Sequence, residues 1–105
     1  MVPQISPITA AEWLAAGETV LLDVREPAEL QLAAVQGATH IPMGSVPARL
    51  SELDPSARYA VMCHHGMRSY RVATYLSQAG FGDVHNVAGG IAAWSAEVDP
   101  SVGDY

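Results

Sequence analysis

The feature that most limits the folds open to this chain is a pair of short runs in which polar and apolar residues do not alternate. The run over residues 19–24 begins with a threonine and is then apolar except at Asp23, and the run Tyr59–Met62 is apolar throughout. A strand with one face in water would alternate, whereas a strand covered on both faces does not. The two runs therefore predict central strands of a parallel sheet.

Helical patterns and further short strands alternate with these runs. The other predicted strands cover residues 4–6, 38–41 and 83–87. Five helices are predicted. The first is capped by Thr9 and ended by Gly17, the second runs from Pro27 to before Gly37 with Leu30, Ala33 and Ala34 facing inward, and the third is capped by Ser45 with Leu50 and Leu53 facing inward. The fourth runs from near Ser69 to Gly80, and a short fifth helix follows Gly89-Gly90. This alternation predicts an α/β fold with a mainly parallel sheet in a single domain of residues 1–105, ending in an irregular tail over residues 98–105.

Composition narrows the classes of partner and compartment. The formal charge is −6, with five Lys plus Arg against eleven Asp plus Glu, so we expect no nucleic-acid surface. No apolar stretch reaches the roughly 20 residues that a membrane-spanning helix needs, and the first residues lack the pattern of a signal peptide. The one cysteine cannot form an internal disulfide and fits a reducing compartment. We therefore expect a cytoplasmic protein.

That cysteine stands at the place where chemistry is most expected. Cys63 directly follows the run Tyr59–Met62, and a loop containing Gly66 leads from it into the helix predicted near Ser69. A sulfur at the N-terminus of a helix meets unpaired backbone N–H groups and the positive end of the helix dipole, which lower the pKa of a thiol. Ligands of parallel sheets also bind beyond the carboxyl ends of the strands. The position predicts a nucleophilic thiolate, with Gly66 at positive φ closing the loop.

Four stretches in order resemble single-domain rhodanese-like sulfurtransferases, which carry sulfane sulfur as a cysteine persulfide. They are residues 22–26 with Glu29, residues 37–42, the loop 63–69, and residues 86–91 with Trp94. The tail from Trp94 to Tyr105 is similar to the end of rhodanese domains attached to sulfur-carrier-activating enzymes. One departure is the sequence Ala34-Val35-Gln36-Gly37-Ala38, which lacks a histidine common in the family; that histidine is usually structural.

The resemblance implies a fold, a site and a reaction. The fold is a five-stranded sheet in the order 1-5-4-2-3 with helices on both faces. Cys63 would be the catalytic nucleophile; the substrate-binding residues would be His64, His65, Gly66, Met67, Arg68 and Ser69. Asp23 and Arg25 would support the loop, in one hydrogen-bonded set with Glu29. The donor would be thiosulfate or a protein persulfide, and the acceptor a thiol, cyanide or a sulfur-carrier protein, with no cofactor or metal.

Two other functions share parts of this pattern. The first is a non-enzymatic sulfur-relay or binding module for one partner protein, with the same chemistry but poor use of thiosulfate. The second is a phosphatase or arsenate reductase, whose loops resemble Cys, five residues, Arg. Here the arginine comes one residue earlier, as Arg68, and the sixth position after Cys63 is Ser69. The shorter loop favours a persulfide over a phosphate ester.

Each site residue also has a plainer interpretation. Cys63 could be a buried core thiol, and Arg68 a solvated surface residue. Cys63, His64 and His65 could bind a metal, although three adjacent residues of a tight loop can hardly face one ion. His40 and Trp94 are predicted to be core residues.

Overall fold

Strands and helices alternate from end to end in the computed structural model, which describes residues 1–105. The strands and α-helices are β1 Gln4–Ile5, α1 Pro7–Ala15, β2 Val20–Asp23, α2 Pro27–Leu30, β3 Thr39–His40, β4 Tyr59–Met62, α3 Met67–Gln78, β5 Val84–Val87 and α4 Gly90–Glu97. Short 3₁₀ turns cover Met43–Ser45, Leu50–Glu52 and Pro100–Val102. No helix combines the length and the apolar character needed to span a lipid bilayer.

All five strands belong to one parallel sheet, in the order β1-β5-β4-β2-β3. The predicted α/β fold and strand order are confirmed. The central pair β2–β4 is in register over four residues, from Val20 opposite Tyr59 to Asp23 opposite Met62. This register brings the carboxyl ends of β2 and β4 side by side, so the residues that follow them, Val24 and Cys63, emerge at the same edge of the sheet.

The two faces of the sheet carry separate apolar cores, because successive side chains of a strand point to opposite sides. On one face Leu22 and Val61 pack with Val72 and Leu76 of α3, and Cys63 belongs to this cluster. On the other face Leu21, Ala60 and Met62 pack with residues of α1 and α4, among them Trp94. All four residues of β4 are buried, which is why their sequence does not alternate.

Two of the predicted helix boundaries are wrong, one for a local reason and one because of a distant contact. Helix α1 is capped by Ser6, whose hydroxyl accepts the Thr9 N–H with Pro7 in the first turn, so Thr9 is not the cap. Helix α2 stops at Leu30 instead of continuing towards Gly37. The backbone N–H that would extend it, that of Ala34, donates to the Val102 carbonyl of the tail at 3.0 Å.

The third predicted helix, capped by Ser45, does not exist. Residues 43–53 instead form the two 3₁₀ turns Met43–Ser45 and Leu50–Glu52. Pro47 has no N–H to donate to the Met43 carbonyl, which accepts from Val46 three residues on. Leu53 is nevertheless buried, as the pattern predicted, whereas Leu50 is only partly so.

The tail is more ordered than the sequence predicts. Asp99 caps the 3₁₀ turn Pro100–Val102, accepting the Ser101 N–H at 3.0 Å. Gly103, at φ 102°, lies against the backbone of Leu32 and Ala33. The tail therefore returns across α2 to the edge of the sheet that carries Cys63.

Candidate active site

The sulfur of Cys63 lies in a closed ring of donors directly after β4. The residue is 1% exposed. Gly66 takes φ 105°, the positive value that was predicted, and it is the N-cap of α3; its N–H donates to Sγ at 3.1 Å. The Ser69 hydroxyl lies 3.3 Å from the same sulfur. The loop turns its N–H groups inward at the N-terminus of a twelve-residue helix, where the helix dipole favours negative charge.

These surroundings act on the thiol in opposite directions. Burial by itself raises the pKa of Cys63, because it removes water from the charged form. Hydrogen bonds from the Ser69 hydroxyl and from the N–H groups of Ser69, Gly66 and His65 lower it. The lowering effects win, and the pKa lies below that of an ordinary thiol. The site therefore favours a thiolate, the form that attacks electrophiles.

Helix α4 fixes the start of the loop from behind. The Ile91 N–H donates to the Cys63 carbonyl at 2.8 Å, and the Ala92 N–H donates to the His64 carbonyl at 3.1 Å. Gly90 precedes them at φ 60°, and a Cβ built on it would overlap both carbonyl oxygens. The backbone approaches this closely because the residue is glycine.

Strand β5 holds the middle of the loop through Asn86. This side chain is 1% exposed, and its Nδ2 donates to the Gly66 carbonyl at 3.0 Å and to Gln4 Oε1 at 2.9 Å. Its Oδ1 accepts from the Ser69 hydroxyl at 2.6 Å. Asn86 therefore ties β1, β5 and the cysteine loop together.

Arg68 is neither free nor fully solvated. Its guanidinium makes a two-point ion pair with the Glu29 carboxylate, at 2.7 and 2.8 Å, and the side chains are 33% and 19% exposed. This pair, helped by the Glu26 N–H and the Tyr105 hydroxyl against the opposing effect of burial, lowers the pKa of Glu29 to about 2. The pair's contribution to stability is present above the unfolded pKa of glutamate, about 4.3, and is lost as the pH falls towards 2.

Asp23 and Arg25 form a second, fully buried pair beside the first. Arg25 Nη2 lies 2.7 Å from Asp23 Oδ2, with side-chain exposures of 0% and 1%. The guanidinium also donates to the carbonyls of Glu29 and Ala33 and to the Tyr105 hydroxyl. The predicted hydrogen-bonded set of Asp23, Arg25 and Glu29 is thus partly correct. Arg25 donates to the backbone carbonyl of Glu29, whereas the Glu29 carboxylate pairs with Arg68. Arg25 supports α2, which in turn carries Glu29 to the loop.

An aromatic stack covers one side of the loop. The rings of His65 and His64 lie 3.8 Å apart, and the His64 ring lies 3.8 Å from that of Tyr105 at an angle of 8°. The Tyr105 hydroxyl donates to Glu29 at 2.8 Å, so the stack and the Arg68 ion pair share one anchor. Met67, by contrast, is 74% exposed at the rim. No group of three or more His, Cys, Asp or Glu side chains is arranged to hold a metal ion.

Of the predicted residues of the loop, Gly66 and Ser69 contact the Cys63 sulfur, whereas Met67 lies at the rim and Arg68 is held by Glu29. Three contacts of the site were not predicted. The pairing of Glu29 with Arg68 and the return of Tyr105 join residues 39 and 76 positions apart, for which the sequence carries no local signal. Asn86 carried a signal that was not used: a polar residue in the middle of a buried strand needs partners. Trp94 is a core residue, as predicted. His40 is only partly buried and lies in neither apolar core; its ring nitrogen is 2.6 Å from the Arg25 carbonyl.

Comparison with known proteins places this chain and its fold in one family. The family model described as the rhodanese-like domain matches residues 6–97. A sulfurtransferase of Allochromatium vinosum is 39% identical over 103 residues, covering 97% of this chain and 96% of that protein. The chain belongs to the rhodanese-like family. Among solved structures, a rhodanese-related protein of Thermoplasma volcanium has a TM-score of 0.83 at 32% identity, with coverages of 91% and 93%. A rhodanese-like domain protein of Staphylococcus aureus also has 0.83, at 30% identity, with coverages of 92% and 95%.

Proposed function

We propose that this protein is a sulfurtransferase that moves sulfane sulfur through a persulfide on Cys63. The observation that carries the proposal is a single buried thiol of lowered pKa, enclosed by a loop whose N–H groups face the sulfur. The membership of this chain in the rhodanese-like family and its similarity to the Allochromatium sulfurtransferase support the same chemistry.

The reaction has two displacements at sulfur. The Cys63 thiolate attacks the outer sulfur of thiosulfate, a new S–S bond forms, and the electron pair of the old S–S bond leaves with sulfite. The negative charge of the resulting persulfide lies on its outer sulfur, where the loop N–H groups stabilise it. A thiolate or cyanide then attacks that outer sulfur, and Cys63 leaves as a thiolate. The cycle needs no cofactor, because no net electrons or protons are taken up.

Intact-mass measurement tests the covalent step directly. Because the chain has one cysteine, incubation with thiosulfate is expected to add one sulfur atom, and cyanide is expected to remove it. A protein that gains no sulfur from thiosulfate or from a small persulfide would contradict the proposal.

The length of the loop predicts which anions the site rejects. Four residues separate Cys63 from Arg68, one fewer than in the phosphatase pattern, and Arg68 is held by Glu29. We therefore expect no turnover of an aryl phosphate, measured by phenol release. Hydrolysis that disappears in Cys63→Ser would instead favour a phosphatase.

One observation favours the relay alternative, in which the sulfur donor is a protein persulfide and not thiosulfate. Arg68, the one arginine of the cysteine loop, is already paired with Glu29, and the sulfur is 1% exposed. The Arg68 guanidinium is therefore not free to attract a small dianion. A persulfide on a partner protein would instead bring its own binding surface.

Freeing Arg68 is expected to improve the use of thiosulfate. In Glu29→Gln the guanidinium loses its carboxylate partner, so kcat/KM for thiosulfate should rise roughly 3- to 10-fold, an effect of about 1 kcal/mol that high salt should reduce. Glu52→Gln is the matched control, because it breaks a similar ion pair, to Arg49, that lies outside the site. An unchanged or lower kcat/KM in Glu29→Gln would mean that Arg68 does not attract the donor.

A further inference from the structure

The bonding of Asn86 fixes which way its amide points. The Gly66 carbonyl can only accept a hydrogen bond, so the amide end that faces it at 3.0 Å must be the Nδ2 donor. The opposite end, Oδ1, then faces the Ser69 hydroxyl at 2.6 Å. A carbonyl oxygen has no hydrogen to give. Ser69 must therefore be the donor in this short bond.

Ser69 has two acceptors within reach and one hydrogen. Its oxygen lies 3.3 Å from Cys63 Sγ and 2.6 Å from Asn86 Oδ1. When the hydroxyl donates to Asn86, it presents a lone pair to the sulfur and can accept an S–H. When Cys63 is a thiolate, the hydroxyl must rotate towards the sulfur, and the buried Asn86 Oδ1 then loses its donor. An unpaired buried acceptor is costly, so the two arrangements compete.

We propose that Asn86 is a positioning residue that tunes Cys63 through Ser69, by competing with the sulfur for the one hydroxyl hydrogen. No covalent bond changes in this switch; only the hydroxyl rotates. The competition disfavours charge on Sγ and favours the two states in which Sγ is neutral, the thiol and the persulfide. The second of these rests on the proposed function, since in a persulfide the charge lies on the outer sulfur, away from Ser69.

Other charged and titratable groups around the loop come from β2 and the segment between β2 and α2, from α2 and α3, from the loop itself and from the tail. They are Asp23, Arg25, Glu29, His64, His65, Arg68 and Tyr105. Asn86 and Ser69 carry no charge, and neither do the residues chosen below to replace them. A change in the titration of Cys63 in these variants therefore reports hydrogen bonding at the sulfur and not an altered set of charges.

The test is the rate of Cys63 alkylation by iodoacetamide, measured as a function of pH. The reagent is neutral, and Cys63 is the only thiol of the protein, so the midpoint of the pH profile reports the pKa of Cys63. In Asn86→Leu the Ser69 hydrogen is free to serve the thiolate. The midpoint should move down by roughly 0.5 to 1 pH unit. In Ser69→Ala the midpoint should move by less than about 0.3 unit. The Ser69 hydroxyl can donate to the thiolate only by breaking its hydrogen bond to Asn86, so its net contribution to the stability of the thiolate is small. In the double variant, Asn86→Leu should no longer lower the midpoint relative to Ser69→Ala.

A purely structural role for Asn86 gives the opposite result. Losing its bond to the Gly66 carbonyl would loosen the loop and remove N–H groups from the sulfur, which raises the midpoint. An upward shift in Asn86→Leu, or the same downward shift with and without Ser69, overturns the proposal. If circular dichroism shows that Asn86→Leu does not fold, Ser69→Ala alone decides, and a shift of more than about 0.3 unit overturns the proposal.

The alkylation assay does not depend on sulfur transfer. Failure of thiosulfate and of small persulfides to load Cys63, with the predicted shifts intact, would therefore refute the proposed function and leave the role of Asn86 standing. Loading that succeeds while the shifts fail would do the reverse.

Discussion

Cys63→Ser is expected to lower sulfurtransferase turnover to the background of the assay, a loss on the order of 10⁴- to 10⁶-fold. The hydroxyl of serine is far less acidic than a thiol, and no general base touches this position: the groups in contact with Sγ are the Gly66 N–H and the uncharged Ser69 hydroxyl. The measurement is thiocyanate formation from thiosulfate and cyanide, together with intact mass after loading.

Two comparisons separate a lost nucleophile from a lost fold. Cys63→Ser changes one buried atom, so its thermal unfolding should resemble that of the wild type. Adding Ser77→Cys to this variant places a thiol on the exposed end of α3, away from the loop. That thiol should not restore turnover, because it lacks the ring of N–H groups. Turnover by Cys63→Ser alone, or its rescue by Ser77→Cys, would contradict a mechanism that depends on this one sulfur.

Gly90→Ala is expected to be the most damaging substitution among the glycines of the site. The new methyl group would overlap the carbonyl oxygens of Cys63 and His64, and the residue would have to keep φ 60°. Those carbonyls cannot move aside without breaking their bonds from the N–H groups of Ile91 and Ala92. Overpacking together with a strained positive φ costs about 2–5 kcal/mol, and we expect Tm to fall by roughly 10 °C or more.

The matched control is Gly44→Ala. Gly44 has no atom within 4 Å of an added Cβ and no positive φ, so its Tm should stay within about 2 °C of the wild type. Sulfur loading should be lost or strongly slowed in Gly90→Ala, since the shifted carbonyls belong to the cysteine loop itself. Equal Tm values for the two variants would mean that α4 does not press against the loop.

The elements that could be predicted are those whose signal is contained in one segment. Strand β4 has the predicted bounds because four consecutive apolar residues leave little choice. The α3 helix begins within two residues of its predicted start, and Gly66 has the predicted positive φ. The helix predicted at Ser45 does not form, although its leucines have helical spacing, because Pro47 has no N–H to donate to the Met43 carbonyl. The overlong α2 failed because a distant carbonyl, that of Val102, satisfied the backbone of Ala34.

By itself, the sequence determined the nucleophile and the framework that presents it: a cysteine at the end of a buried strand, a glycine in the turn and a helix after it. These follow from local rules of burial and backbone geometry. Only the tertiary structure decided what surrounds the sulfur. Arg68 meets Glu29, Tyr105 returns to stack on His64, and Asn86 competes for the Ser69 hydrogen. Each of these contacts joins separate elements that the packing of the sheet brings together, so the spacing of residues within one segment cannot predict it.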